Sequence, residues 1–200
     1  MKADITTDYY YAAPTIESDE LRELGRKLQH TPFRKLATFT QNLEKMDSLA
    51  IGKIALVNYL TDRLTQRQFR QEATRAIEHG ASEIELYWVE SFFTWGSAKW
   101  QQLIEELANE GVVLRIMLDV LALDEPQLEQ VLKFFRTCGV TDVSISSGMT
   151  PDIITPRQWR DYQRLFPSIF RVKVVGVKSK SDADAFRSAG IRFIGTRELT

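Results

Sequence analysis

The sequence predicts an α/β chain folded as a single domain over residues 1–200, a compact (β/α)8 TIM barrel, and three observations carry that expectation. Amphipathic helical stretches alternate with short β-branched runs from about Ser18 to the end, and such alternation makes a parallel sheet covered by helices. The punctuation between helix and strand recurs as His79-Gly80-Ala81, Glu110-Gly111-Val112, Cys138-Gly139-Val140 and Ala189-Gly190-Ile191. Glycine just past a helix takes the left-handed conformation that ends it. Eight strand-like runs are present, the number that closes a barrel of this kind. The rival, an open doubly wound sheet, lacks its mark, because no Gly-x-Gly-x-x-Gly follows the first strand.

The elements follow in order. A first strand near residues 5–11 feeds a helix at 19–28. Strand two, 35–40, is followed by a short helical segment within 41–47 and by strand three at 53–59. The helix at 65–78 opens on Thr65 with Gln68 three residues on, a pair that satisfies orphan amides reciprocally. Strand four, 83–88, gives way to the helix at 97–109 and to strand five at 112–119. Asp124 before Glu125-Pro126 starts the helix at 124–137, since its carboxylate accepts an amide hydrogen and proline suits the first turn. Strand six, 142–146, precedes a helix at 155–165 that opens on Thr155-Pro156 and breaks at Phe166-Pro167. Strand seven spans 171–175, Ser179 or Ser181 starts a helix at 181–189, and strand eight lies at 191–194. With the sequence ending at Thr200, a full eighth outer helix is not expected.

Composition narrows the function classes. The 26 Lys and Arg against 27 Asp and Glu give a net charge of −1, and the densest basic stretch, 173–180, is interrupted by valines and glycine, so no nucleic-acid partner is expected. Cys138 is the single cysteine, which excludes an intrachain disulfide and points to a reducing cytosol. With only His30 and His79 as histidines, neither a metal nor another cofactor is expected. No cationic-then-apolar leader opens the chain and no apolar run approaches the ~18 residues of a membrane span, so a cytoplasmic protein without a membrane partner is expected.

In a barrel of this kind chemistry sits at the carboxyl ends of the strands. The candidates there are Glu85, Tyr87 and Glu90 on strand four, Arg115 and Asp119 on strand five, Ser144, Ser146 and Ser147 on strand six, and Lys173 on strand seven. Lys173 alternates with Val172 and Val174, and if its face is the barrel interior, desolvation lowers its pKa and makes it a nucleophile. The plainer reading is a lysine paired with Glu85 or Asp119 in a filled, charged layer. Gly148, Gly176 and Gly195 read as turns after the last three strands whose amides, with hydroxyls from Ser179 and Thr196, would cradle a phosphate. Five aromatics between Tyr87 and Trp95 wall a pocket, cap the barrel mouth, form an interface, or pack under the following helix.

From about Asp8 to Thr196 the order of blocks resembles the deoxyribose-phosphate aldolases. The blocks are Gly80-Ala81-Ser82-Glu83-Ile84-Glu85, Val113-Leu114-Arg115-Ile116-Met117-Leu118-Asp119, Ser146-Ser147-Gly148, Val172-Lys173 with Gly176-Val177-Lys178-Ser179, and Ile194-Gly195-Thr196. The resemblance implies a metal-free lyase that cleaves a sugar phosphate through a lysine Schiff base on strand six. It matches Lys173 to the strand-seven lysine that tunes the reactive amine, Glu85 to the strand-four acid that moves protons, Arg115 to a strand-five lysine and Asp8 to a first-strand aspartate. The reactive lysine itself falls on Ser144, whose hydroxyl cannot form an imine, and Arg197-Glu198 replace the serine pair near the phosphate. Impaired or redirected chemistry is therefore expected. Three readings stay open: an aldolase in which Lys173 forms the imine, a non-catalytic barrel that binds a phosphorylated sugar or aldehyde, and a scaffold whose aromatic loop engages a protein, including a second copy of the chain as a homo-oligomer.

Overall fold

The computed structural model describes residues 6–58, 64–146 and 153–197. Eight parallel strands close in chain order: β1 (Thr6–Tyr11), β2 (Lys35–Phe39), β3 (Gly52–Val57), β4 (Ala81–Tyr87), β5 (Val113–Leu118), β6 (Asp142–Ile145), β7 (Arg171–Val175) and β8 (Phe193–Thr196). Closure comes from β8 pairing back on β1, with Gly195 in register with Asp8. The helices α1 (Ser18–Gln29), α2 (Thr40–Leu43), α3 (Gln66–Glu78), α4 (Ser97–Asn109), α5 (Glu125–Cys138), α6 (Pro156–Tyr162) and α7 (Lys180–Ser188) connect them.

The helix starts follow the capping chemistry in the sequence. Thr65, Asp124 and Thr155 each accept the backbone N–H three residues on, from Gln68, Gln127 and Gln158, and each glutamine side chain reaches back to the cap's own N–H. Ser179 accepts the N–H of Asp182 and so starts α7. At the other end of α5, Gly139 takes φ of 83° and hands the chain to β6, a conformation that a side chain would strain.

Strand eight and the segment after strand two are among the elements whose bounds differ from the sequence reading. Strand eight was expected at 191–194, but Ile191 donates its N–H to Phe186 O and packs into the core, so pairing begins only at Phe193. Gly195 consequently lies inside β8 and not in a turn beyond it. The short segment after strand two splits into α2 and a 3₁₀ turn, Glu44–Met46. Positions 5 and 59, expected in strands one and three, lie outside the described residues.

Strand alternation divides the apolar residues between two cores. Outward-facing Val57, Ile84, Leu86, Ile116, Val143, Val174 and Ile194 meet the helices in a large shell with Phe69, Trp100, Phe135 and Phe186. A smaller shell under α1 gathers Ile16, Leu24, Leu36 and Met46. Inside the cylinder, Tyr10, Ala37, Ile54, Leu56, Met117 and Val175 pack together, with Phe39 and Tyr87 against them. Phe39, Tyr87 and Val175 are the last residues of their strands, so this apolar layer fills the carboxyl end of the interior.

Candidate functional site

Beneath the apolar layer lies a layer of charge. Lys35, Asp142 and Arg171 are the first residues of β2, β6 and β7, which puts the layer toward the amino ends of the strands. Lys173 Nζ stands at its centre, 2.7 Å from Asp8 Oδ2, 3.0 Å from Glu83 Oε1 and 2.7 Å from Glu85 Oε1, with the side chain 1% exposed. An ammonium has three hydrogens to donate, and three carboxylates surround this one. Burial alone would lower the Lys173 pKa, but Glu85, Glu83 and Asp8 outweigh it and hold the amine above its ordinary value. The lowered amine anticipated for an interior lysine is therefore not the state found, because three anions came with the burial.

Arg115 extends the layer. Its Nε donates to Glu83 Oε1 at 2.7 Å, its Nη2 to Asp142 Oδ1 at 3.0 Å and its Nη1 to Arg171 O at 3.1 Å, while Glu85 Oε1 lies 3.7 Å from Nε. Glu83 also pairs with Lys35 Nζ at 2.8 Å, and Arg171 closes the far end on Asp142. Burial would raise the Glu83 carboxyl, yet Lys173, Arg115 and Lys35 hold it well below the usual carboxylate range. The layer thus sets four cations, Lys35, Arg115, Arg171 and Lys173, against four anions, Asp8, Glu83, Glu85 and Asp142. Such balance allows charge to be buried, since an unpaired ion in the interior costs several kcal/mol (about 3–5 when one partner is removed).

Ser144 sits beside Lys173 in the register of β6 and β7, fully buried, and donates its hydroxyl to Glu85 Oε1 at 3.2 Å. Tyr10 donates to the same carboxylate, 2.7 and 2.6 Å from its two oxygens. Burial first, and Glu85 next, push that phenol well above its ordinary value. Glu85 is thus held by Lys173, Tyr10 and Ser144 together. Room for Tyr10 comes from Gly195, where a Cβ would stand 2.3 Å from the ring's Cε2.

The residues expected to cradle a phosphate are arranged differently. Gly176 and Val177 both donate their N–H groups to Gly195 O, at 2.9 and 3.2 Å. Thr196 donates its hydroxyl to Val177 O at 2.7 Å, and Ser179 caps α7 while donating to Asp182 Oδ2 at 2.7 Å. Gly148 and Ser147 lie outside the described residues. Ser146, with φ of 62°, accepts the N–H of Ile154 at 3.1 Å and so anchors the start of the segment leading to α6.

Asp119 does not join the charged layer. It follows β5 and opens onto a separate cavity of about 170 Å³ between the end of β4 and α5, shared with Tyr87, Trp88, Glu90 and Phe93. Aromatics of this loop also pack under helices: Trp95 stacks on Trp100 of α4 at 5.1 Å, and Trp88 meets Phe135 of α5 edge-on at 4.8 Å. Sequence reasoning missed Tyr10, Glu83, Asp142, Lys35 and Arg171 as members of the layer. The signal available was Glu83 two residues before Glu85, and Tyr10 two after Asp8, each pair on one strand face. Among the described residues no group of three His, Cys, Asp or Glu side chains is arranged to hold a metal ion, and no helix is long and apolar enough to cross a membrane.

No protein-family model and no curated protein matches the chain by sequence. Solved structures do match. The deoxyribose phosphate aldolase of Aeropyrum pernix, described as a tetramer, superposes with a TM-score of 0.84 at 20% identity, covering 96% of this chain and 86% of its own. QR15, an aldolase, gives a TM-score of 0.80 at 20% identity, with 96% and 90% covered. A 2,3-dimethylmalate lyase of the PEP mutase/isocitrate lyase superfamily gives 0.68 at 12% identity, with 98% and 74–76% covered in its two crystal forms. The barrel thus shares the fold of the deoxyribose-phosphate aldolases that it superposes on. At these identities the likeness is one of fold, and barrels of one fold host unrelated chemistries.

Proposed function

We propose that this chain keeps the barrel of a class I aldolase without its imine chemistry, and acts by binding or as a scaffold. One observation carries the reading: Ser144 stands where the resemblance places the reactive lysine, and the neighbouring Lys173 has its three donors directed at Asp8, Glu83 and Glu85. An amine attacks a carbonyl only through a free lone pair. To expose one, Lys173 would have to give up a proton that three carboxylates hold in place, and then leave Asp8 without a cation among the described residues and Glu83 and Glu85 with one fewer. The apolar layer above, with Met117, Leu56 and Val175, occupies the carboxyl end of the interior where a substrate would enter.

Borohydride reduction in the presence of acetaldehyde or deoxyribose 5-phosphate, followed by peptide mass mapping, tests this directly. No reduced adduct on Lys173 is expected. An adduct there would restore the alternative of a redirected aldolase, with Glu85 moving protons and Arg115 supplying positive charge. Phosphate binding by Gly176, Ser179, Gly195 and Thr196 is the second reading, favoured by the Ser179-capped start of α7. Against it, the Gly176 and Val177 amides are already spent on Gly195. A melting temperature unmoved by inorganic phosphate or deoxyribose 5-phosphate at millimolar concentration supports the binding-independent scaffold, and a rise supports the phosphate site.

A further inference from the structure

The cavity at the carboxyl ends of β4 and β5 is separate from the charged layer, and neither the fold likeness nor the reading above gives it a role. We propose that it binds a small organic ammonium with an apolar body, the charge held by Asp119 and Glu90 and the body by Trp88 and Phe93. Its volume of about 170 Å³ lies between the loop that follows β4 and the first turns of α5. No lysine, arginine or histidine lines it, while two carboxylates do. The described residues supply neither carboxylate with an ion-pair partner. The complement to that charge is a cation.

The walls decide which cation. Trp88 is 8% exposed and locked edge-on between Phe93 at 5.2 Å and Phe135 at 4.8 Å, so the aromatic surface is rigid before any ligand arrives. Leu118, Leu123 and Val131 add to the apolar lining. Among the described residues no group of three His, Cys, Asp or Glu side chains is arranged to hold a metal ion, at this cavity or elsewhere. An ammonium carried on an apolar body instead satisfies the carboxylates and places charge beside aromatic rings, which attract cations. Asp119 also contributes, after burial, to raising the Tyr87 phenol across the same wall, so its charge is felt inside the cavity.

Calorimetric titration at neutral pH with phenethylamine, its neutral isostere 2-phenylethanol and the anion 3-phenylpropionate reads out the proposal. The amine is expected to bind at least about tenfold more tightly than the alcohol, roughly 1.4 kcal/mol, and the anion not at all. Asp119→Asn should erase the preference for the amine. Gln130→Lys, on an exposed residue of α5 at the cavity rim, should weaken the amine and leave the alcohol unchanged, and it carries the test alone if Asp119→Asn fails to fold by circular dichroism. Equal binding of amine and alcohol, or no heat from either at millimolar concentration, overturns the proposal. The outcome is independent of borohydride trapping at Lys173, so the two readings fail separately.

Discussion

Lys173 is the residue on which the interior depends. Its ammonium meets Asp8, Glu83 and Glu85 within 3.0 Å and lies 5.8 Å from the Tyr10 ring centroid, so removing it leaves Asp8 without a cation among the described residues and takes one from Glu83 and Glu85. Lys173→Met keeps much of the stem's packing but not the charge. It is expected to destabilise the fold by about 3–5 kcal/mol, the usual cost of breaking a buried ion pair from one side. Urea unfolding of the two proteins measures the difference, and a loss under about 1 kcal/mol would mean that water reaches the layer and replaces the lysine. The sequence marked Lys173, Glu85, Arg115 and Ser144 as candidates on strands four to seven, and alternation set Lys173 opposite Val172 and Val174. It left Lys173 open between a free amine and a paired one, because that depends on which residues of other strands share its level. The stagger between strands sets that level, and no local pattern writes it: Tyr10 reaches Glu85 from 75 residues away.

At the scale of elements, helix ends were the most legible features, since a cap and its partner lie three residues apart in the chain. Asp124 shows the physics: its carboxylate takes the Gln127 N–H at 2.8 Å, and Gln127 returns the bond to the Asp124 N–H at 2.9 Å. Asp124→Ala should cost about 1 kcal/mol through loss of this cap, measured as a lowered thermal midpoint. A fall well beyond that would show that the cap also fixes the aromatic and acidic loop beside it. Strand ends were less legible. Ile191 looks like strand because it is β-branched and apolar, but the left-handed Gly190 turns it back under Phe186 of α7 before pairing starts. The same two-residue displacement made Gly195 a turn residue. Its packing role against Tyr10 is invisible in the sequence, which does not say that a ring from β1 crosses the face of β8. The aromatic run after β4 was read four ways, and it combines two: Trp95 packs beneath α4, whereas Trp88 and Phe93 also line a cavity.

For the whole molecule, a charged layer inside an otherwise apolar cylinder makes stability depend on pH from both sides. Glu83 is held well below its ordinary carboxylate value despite burial, by Lys173, Arg115 and Lys35. A group whose pKa is lower folded than unfolded contributes its full stabilisation above the unfolded value, about 4.3, and loses it as pH falls toward the folded one. Lys173 works in the opposite direction. With its folded pKa raised by Glu85, Glu83 and Asp8 against the effect of burial, its contribution is complete below the unfolded value of about 10.4 and fades as pH rises past it. Tyr10, raised by burial and by Glu85, adds to the alkaline loss above about 10 by the same sign. Urea midpoints should therefore stay nearly level between about pH 5 and pH 9, fall below about pH 4, and fall again above about pH 10. Lys173→Met should flatten the alkaline limb, because no ammonium remains there to lose, and weaken the acid limb, because Glu83 loses a cation that holds it ionised. An alkaline limb as steep in the variant as in the parent would move the source of that limb to Tyr10 and the exposed lysines, and Lys173 would then contribute packing but little electrostatic stability.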